Sequence, residues 1–153
     1  MTGCGNLAVG CYSLDTNTTG CHNTSIGINA LTSNTTGNNN TANGYASLNQ
    51  STTGNSNSAY GFQSLGLLTT GGANTGIGYN TGYYNTTGSN NTAVRYLAAY
   101  ANTTAQYNDA FGYTALRSNT TGSQNVAIGT QTLYTNVTGS YNTALGTAAL
   151  YYN

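Results

Sequence analysis

The chain has 153 residues, of which only Asp15, Arg95, Asp109 and Arg117 are charged, for a net charge of zero. Ordinary soluble domains carry about 25% charged residues, whereas here Gly, Thr and Asn alone supply 74 of the 153. This excludes a nucleic-acid surface, which needs clustered positive charge, and leaves no acid/base pair, catalytic set or metal cage.

No run of about 20 apolar residues is present to span a membrane. The first residues lack the basic and apolar stretches of a signal peptide. The composition leaves two classes, low-complexity disorder or a repetitive structure, and the spacing decides between them. Gly3, Gly20, Gly37, Gly54, Gly71, Gly88, Ala105, Gly122 and Gly139 recur every 17 residues without an insertion. So do nine asparagines, Asn6, Asn23, Asn40, Asn57, Asn74, Asn91, Asn108, Asn125 and Asn142. A fixed phase held over nine units is what stacked turns require.

Seventeen residues are too few for a helical repeat, and Asn, Thr and Gly are poor helix formers. Two short strands and two turns fit the unit. In chain order each unit opens on a turn glycine, followed by the Asn slot, which we read as an internal amide ladder or turn lock. A first strand follows, as at Asn125-Val126-Ala127-Ile128, and then a Gly column (Gly10, Gly27, Gly44) for the bend. A second strand is expected at Thr132-Leu133-Tyr134, and a polar Asn-Thr-Thr turn closes the unit. Two large apolar columns are expected inward. One runs Val9, Ile26, Asn43, Tyr60, Ile77, Val94, Phe111, Ile128 and Leu145, and the other runs from Leu14 and Leu31 to Leu150. A column of small residues, Ala8 to Ala144, makes a tight wall.

The fold expected is all-β, a parallel β-solenoid of nine 17-residue turns forming one repetitive segment, residues 1–153. Two large side chains per turn gain about 4 kcal/mol, less than ordering 17 residues costs. That shortfall argues for chains winding together, most simply three about a common axis. The last unit ends in phase with the first, which suggests a piece of a longer fibre or a subunit that stacks end to end.

The motif Asn142-Thr143-Ala144-Leu145-Gly146-Thr147-Ala148-Ala149-Leu150, with Asn125-Val126-Ala127-Ile128-Gly129, resembles the head repeats of YadA-like trimeric autotransporter adhesins. It is also similar to repeats of phage-type tail fibres. The resemblance covers essentially the whole chain. It implies a trimeric left-handed β-roll with an extracellular role in attachment. Val9, Ile26, Ile77, Val94, Ile128 and Leu145 would then be buried aliphatics, and Gly10, Gly27, Gly78, Gly129 and Gly146 tight bends. The adhesin repeat is shorter, and Asn43, Tyr60 and Arg95 depart from the pattern.

Other residues invite further readings. Asn17, Asn34, Asn85, Asn102, Asn119 and Asn136 share a slot and each begins Asn-x-Thr, an N-glycosylation acceptor if the chain is secreted from a cell with that machinery. Cys4 and Cys21 occupy one slot in adjacent turns and Cys11 another. Their odd number leaves one thiol free or paired between chains, and a disulfide stapling one end of a trimer suits an extracellular setting. Tyr45, Phe62, Tyr79, Tyr96 and Tyr113 form an aromatic column, and Tyr83, Tyr100, Tyr134 and Tyr151 an interrupted second one. These columns, or the Thr pairs such as Thr35-Thr36, would carry glycan or ice binding if the segment is a binding module. The leading reading is a structural fibre or filament segment whose partner is itself, with no cofactor and no catalysis.

Overall fold

A computed structural model describes residues 2–153 of the chain. Each repeat contributes one three-residue strand: β1 Leu7–Val9, β2 Thr24–Ile26, β3 Thr41–Asn43, β4 Ser58–Tyr60, β5 Thr75–Ile77, β6 Thr92–Val94, β7 Asp109–Phe111, β8 Val126–Ile128 and β9 Thr143–Leu145. The nine strands form one parallel sheet in chain order. Every pair keeps the 17-residue offset, with Ala42 opposite Ala59 and Gly76 opposite Ala93. The same offset continues outside the sheet, where the Thr18 N–H donates to the Thr35 carbonyl at 2.9 Å. The fold is a parallel β-solenoid of nine turns.

The expected second strand is absent, and its segment is wound into tight turns. At Thr132-Leu133-Tyr134 the reason is visible in the backbone. Gln131 and Leu133 have φ of 55° and 51°, which bends the chain where a strand would extend it. The Gln131 N–H donates back to the Tyr113 carbonyl at 2.9 Å, and the Leu133 N–H donates forward to the Ala149 carbonyl at 3.0 Å. The two left-handed residues thus aim their amides at the turns on either side, where each finds a carbonyl. A side chain in this conformation costs about 1–2 kcal/mol, and the stacked hydrogen bonds offset it. A third left-handed position per turn, such as Gln124 at φ 59°, precedes each Asn of the ladder.

The interior has an apolar half and an amide half. Strand alternation turns the middle residue of each strand inward, so Ala42, Ala59, Ala93, Ala110 and Ala127 are buried. Facing them are Leu31, Leu48, Leu65, Leu116 and Leu133. In the fifth turn Gly76 and Gly82 occupy both apolar slots, and the core divides there into two clusters.

The amide half holds the two Asn columns. The Asn40 N–H donates to Asn23 Oδ1 at 2.9 Å, and Asn40 Nδ2 donates to the Gly54 carbonyl at 2.8 Å. In the second column Asn34 Nδ2 donates to Asn17 Oδ1 at 2.8 Å and to the Gly37 carbonyl at 3.1 Å. Gly37 O also accepts from Asn23 Nδ2 at 2.8 Å, so the turn glycine's carbonyl joins the two columns.

The column from Val9 to Leu145 lies outside, contrary to expectation. The same alternation that points Ala42 inward points its neighbours outward, and a lumen walled by alanine has no room for Ile or Phe. Ile77 and Phe111 keep 44% and 40% of their surface exposed. The glycine after each strand permits close stacking: a Cβ on Gly27 (φ 135°) would lie 2.5 Å from the Gly44 carbonyl oxygen.

Candidate functional site

The outer surface carries the features that bear on function. No cavity forms among the described residues, and no three His, Cys, Asp or Glu side chains among them converge as a metal site would require. What the surface offers is a set of columns, each repeating once per turn.

Two apolar columns run side by side, flanking the Gly10 column. The first is the outward side of the strands, including Val9, Tyr60, Ile77, Phe111 and Ile128. The second continues from Ile28 into the aromatic ladder of Tyr45, Phe62, Tyr79, Tyr96 and Tyr113. Successive rings of the ladder stack at 5.0–5.3 Å between centroids, tilted by no more than 16°. This spacing follows from the rise of stacked strands, about 4.8 Å, and suits offset stacking. It also hides the ring faces. A sugar ring docks on an aromatic face, and no space remains between these rings to admit one. The ladder presents edges.

The interrupted second aromatic column is continuous once Arg117 is counted. Tyr83 and Tyr100 stack at 5.9 Å, and Tyr134 and Tyr151 at 5.0 Å. The Arg117 guanidinium lies 5.7 Å from the ring centres of both Tyr100 and Tyr134 and donates to the Tyr134 hydroxyl at 3.3 Å. A planar cation fills the place of a ring. Residue class hid this in the sequence, although the 17-residue spacing places Arg117 between the two tyrosines. Tyr100 is held above the usual phenol range, first by burial and then by the hydrogen bond and charge of Tyr84, with Arg117 opposing.

The Thr pairs divide their work. The Thr35, Thr52, Thr69, Thr86 and Thr103 hydroxyls donate to carbonyls one turn on at 2.9–3.2 Å. Their neighbours Thr36, Thr53, Thr70, Thr87 and Thr104 are exposed. In these five turns one Thr is exposed and its neighbour is half-buried.

The acceptor sequons at Asn17, Asn34, Asn85, Asn102, Asn119 and Asn136 lie inside, at most 3% exposed. Asn85, Asn119 and Asn136 Nδ2 donate to the carbonyls of Gly88, Gly122 and Gly139 at 3.1, 2.8 and 2.9 Å. A sugar on Nδ2 would need that turn to be open. Asn39 and Asn90, which also open Asn-x-Thr triplets (Asn39-Asn40-Thr41 and Asn90-Asn91-Thr92), are exposed, in the left-handed position before the ladder.

At the first two turns the Cys4 thiol donates to Cys21 Sγ at 2.8 Å, and the Cys4 N–H donates to the same sulfur at 3.1 Å. Cys11 is exposed one side away, in the slot that holds Ile28 and Tyr45 in later turns.

No protein-family model, curated protein or solved structure matches the chain.

Proposed function

We propose that this chain is a structural segment of an extracellular fibre, without catalysis, that assembles with copies of itself along its paired apolar columns. The observation that carries the reading is the exposed, nearly charge-free face formed by the Val9–Leu145 column and the aromatic ladder. The first column runs through the nine turns with Asn43 interrupting it, and the second runs beside it for six turns, Ile28 to Tyr113, about 24 Å at the usual strand spacing, with Arg95 between them. Isolated exposed apolar residues are ordinary, but a contiguous strip of this length marks an interaction surface. A second copy is the fitting occupant because it presents side chains at the same period, so every rank meets a rank. Three copies about one axis cover the strip most simply. The likeness to adhesin head repeats supports both the trimer and the extracellular setting.

A binding-module reading is favoured by the Thr rank, which is unbroken from Thr19 through Thr138. Its rank is single and lies on a bend, which offers ice or a glycan a line and not a plane. A thermal-hysteresis measurement on the purified chain tests it, and freezing-point depression lost in Thr53→Ala/Thr70→Ala would establish it.

The assembly is tested by analytical ultracentrifugation of the wild type and of Ile77→Glu/Ile128→Glu. The wild type should sediment as an oligomer of fixed stoichiometry, and the double variant as a monomer with an unchanged β-type circular dichroism spectrum. A wild type that stays monomeric at all concentrations would refute the reading.

A further inference from the structure

We propose that Cys4 and Cys21 are a redox pair that closes into a disulfide within one chain, bonding the first turn to the second and leaving Cys11 as a free thiol.

The placement follows from the stack. Residues 17 apart in adjacent turns lie about one strand spacing apart, about 4.8 Å, within the Cα separation of about 4.4–6.8 Å that a disulfide spans. The two side chains leave the backbone in the same direction, and their sulfurs already touch at 2.8 Å. Cys11 is separated from both by the strand and its flanking bend, and its column neighbour in the next turn is Ile28. A bond between chains is the less direct alternative, because each of these two sulfurs has its partner in its own chain.

The chemistry needs an oxidant of the disulfide class, such as oxidised glutathione. Cys21 is the attacking sulfur. The Cys4 thiol and the Cys4 N–H both donate to it, which favours its thiolate, while Cys4 is held above the usual thiol range by that same contact. The Cys21 thiolate attacks one sulfur of the oxidant, whose S–S bond breaks and releases one thiol. The Cys4 thiol loses its proton and attacks Cys21 Sγ in the mixed disulfide, expelling the second thiol. Two protein thiols become one disulfide, and the oxidant is reduced to two thiols.

The bond has a structural use. A turn of a stack opens locally when it loses its hydrogen bonds to the neighbouring turn. A covalent link from Cys4 to Cys21 holds the first turn against the second, close to the point where the Thr2 N–H reaches the Thr18 carbonyl at 2.9 Å.

The full chain, folded and reduced, is incubated with oxidised glutathione and alkylated with iodoacetamide. It is then digested with chymotrypsin without reduction and sequenced by tandem mass spectrometry. Cleavage after Leu7, Tyr12 and Leu14 separates the three cysteines. The expected result is a cross-linked pair of peptides containing Cys4 and Cys21, with Cys11 alkylated, and a monomeric band on a non-reducing gel. Alkylatable thiols fall from three to one. Cys11→Ser should keep the link, and Cys4→Ser and Cys21→Ser should each abolish it. Three alkylated cysteines after oxidation, a link that includes Cys11, or covalent dimers joined through Cys4 or Cys21 would each overturn the proposal.

Discussion

Ser51 stands one turn above Asn34 in the second amide column and leaves Asn34 Oδ1 without a hydrogen bond. Elsewhere in that column an Asn donates downward, as Asn119 Nδ2 does to Asn102 Oδ1 at 3.1 Å. Serine is too short to reach, and both Asn34 Oδ1 and Ser51 Oγ are buried without partners. Ser51→Asn should supply the missing donor to Asn34 Oδ1 and a second one to the Gly54 carbonyl. A gain of about 1 kcal/mol is expected from removing a buried unsatisfied acceptor. Urea denaturation followed by circular dichroism measures it, and an unchanged or lower midpoint would contradict the account.

The first amide column is complete, so its loss should be costly anywhere along it. Asn57 Oδ1 accepts the Asn74 N–H at 3.0 Å, and Asn57 Nδ2 donates to the Gly71 carbonyl at 3.0 Å. Asn57→Ala strands a buried backbone donor and weakens a buried carbonyl. A loss of about 3 kcal/mol is expected. Thr53→Ala, which removes an exposed hydroxyl in the preceding polar turn, should change stability by less than about 0.5 kcal/mol. The same denaturation series compares the two, and equal effects would show that the amide column is not what holds the turns.

These columns were legible in the sequence because stacking makes every slot equivalent, so a buried slot and an exposed one each keep their residue type. Orientation was not. Ile77 and Leu65 are equally apolar, and a periodic list cannot say which faces in. The answer came from a three-residue strand whose middle residue is small, which puts Ala59 inside and Tyr60 outside. The segment expected as a second strand turns for a related reason. Leu133 suits a strand by composition, and nothing local marks it for positive φ. Only the hydrogen bonds to turns on both sides make that conformation worthwhile. The Asn34 sequon is a surface signal by motif, yet the same amide serves the interior ladder.

Arg95 occupies a slot held by glycine in every other turn, at φ 91° where those glycines have φ from 115° to 153°. Its side chain is exposed, so nothing in the core is lost when it is removed. Arg95→Gly should stabilise the chain by about 1 kcal/mol by relieving backbone strain. The converse change, Gly27→Ala, should destabilise it, because the new methyl would press on the Gly44 carbonyl. Thermal melts of the two variants should move in opposite directions.

The Arg117 cation between Tyr100 and Tyr134 makes a prediction about pH. Tyr100 is raised in the fold, chiefly by burial, so the folded chain holds the phenol proton more tightly than the unfolded chain does. The stability from this group is therefore full below the unfolded phenol value of about 10, and it declines as pH rises past that value through the folded one. Arg117 works against the shift, so Arg117→Ala should move the Tyr100 titration higher still, read as delayed phenolate absorbance on alkaline titration. The same variant loses two cation–ring contacts and should cost about 1 kcal/mol at neutral pH. Arg117→Tyr restores a ring to the column and should recover most of that loss without restoring the charge. If Arg117→Ala lowered the Tyr100 titration, or if Arg117→Tyr were as unstable as Arg117→Ala, the guanidinium would not be acting as a charged rung of the ladder.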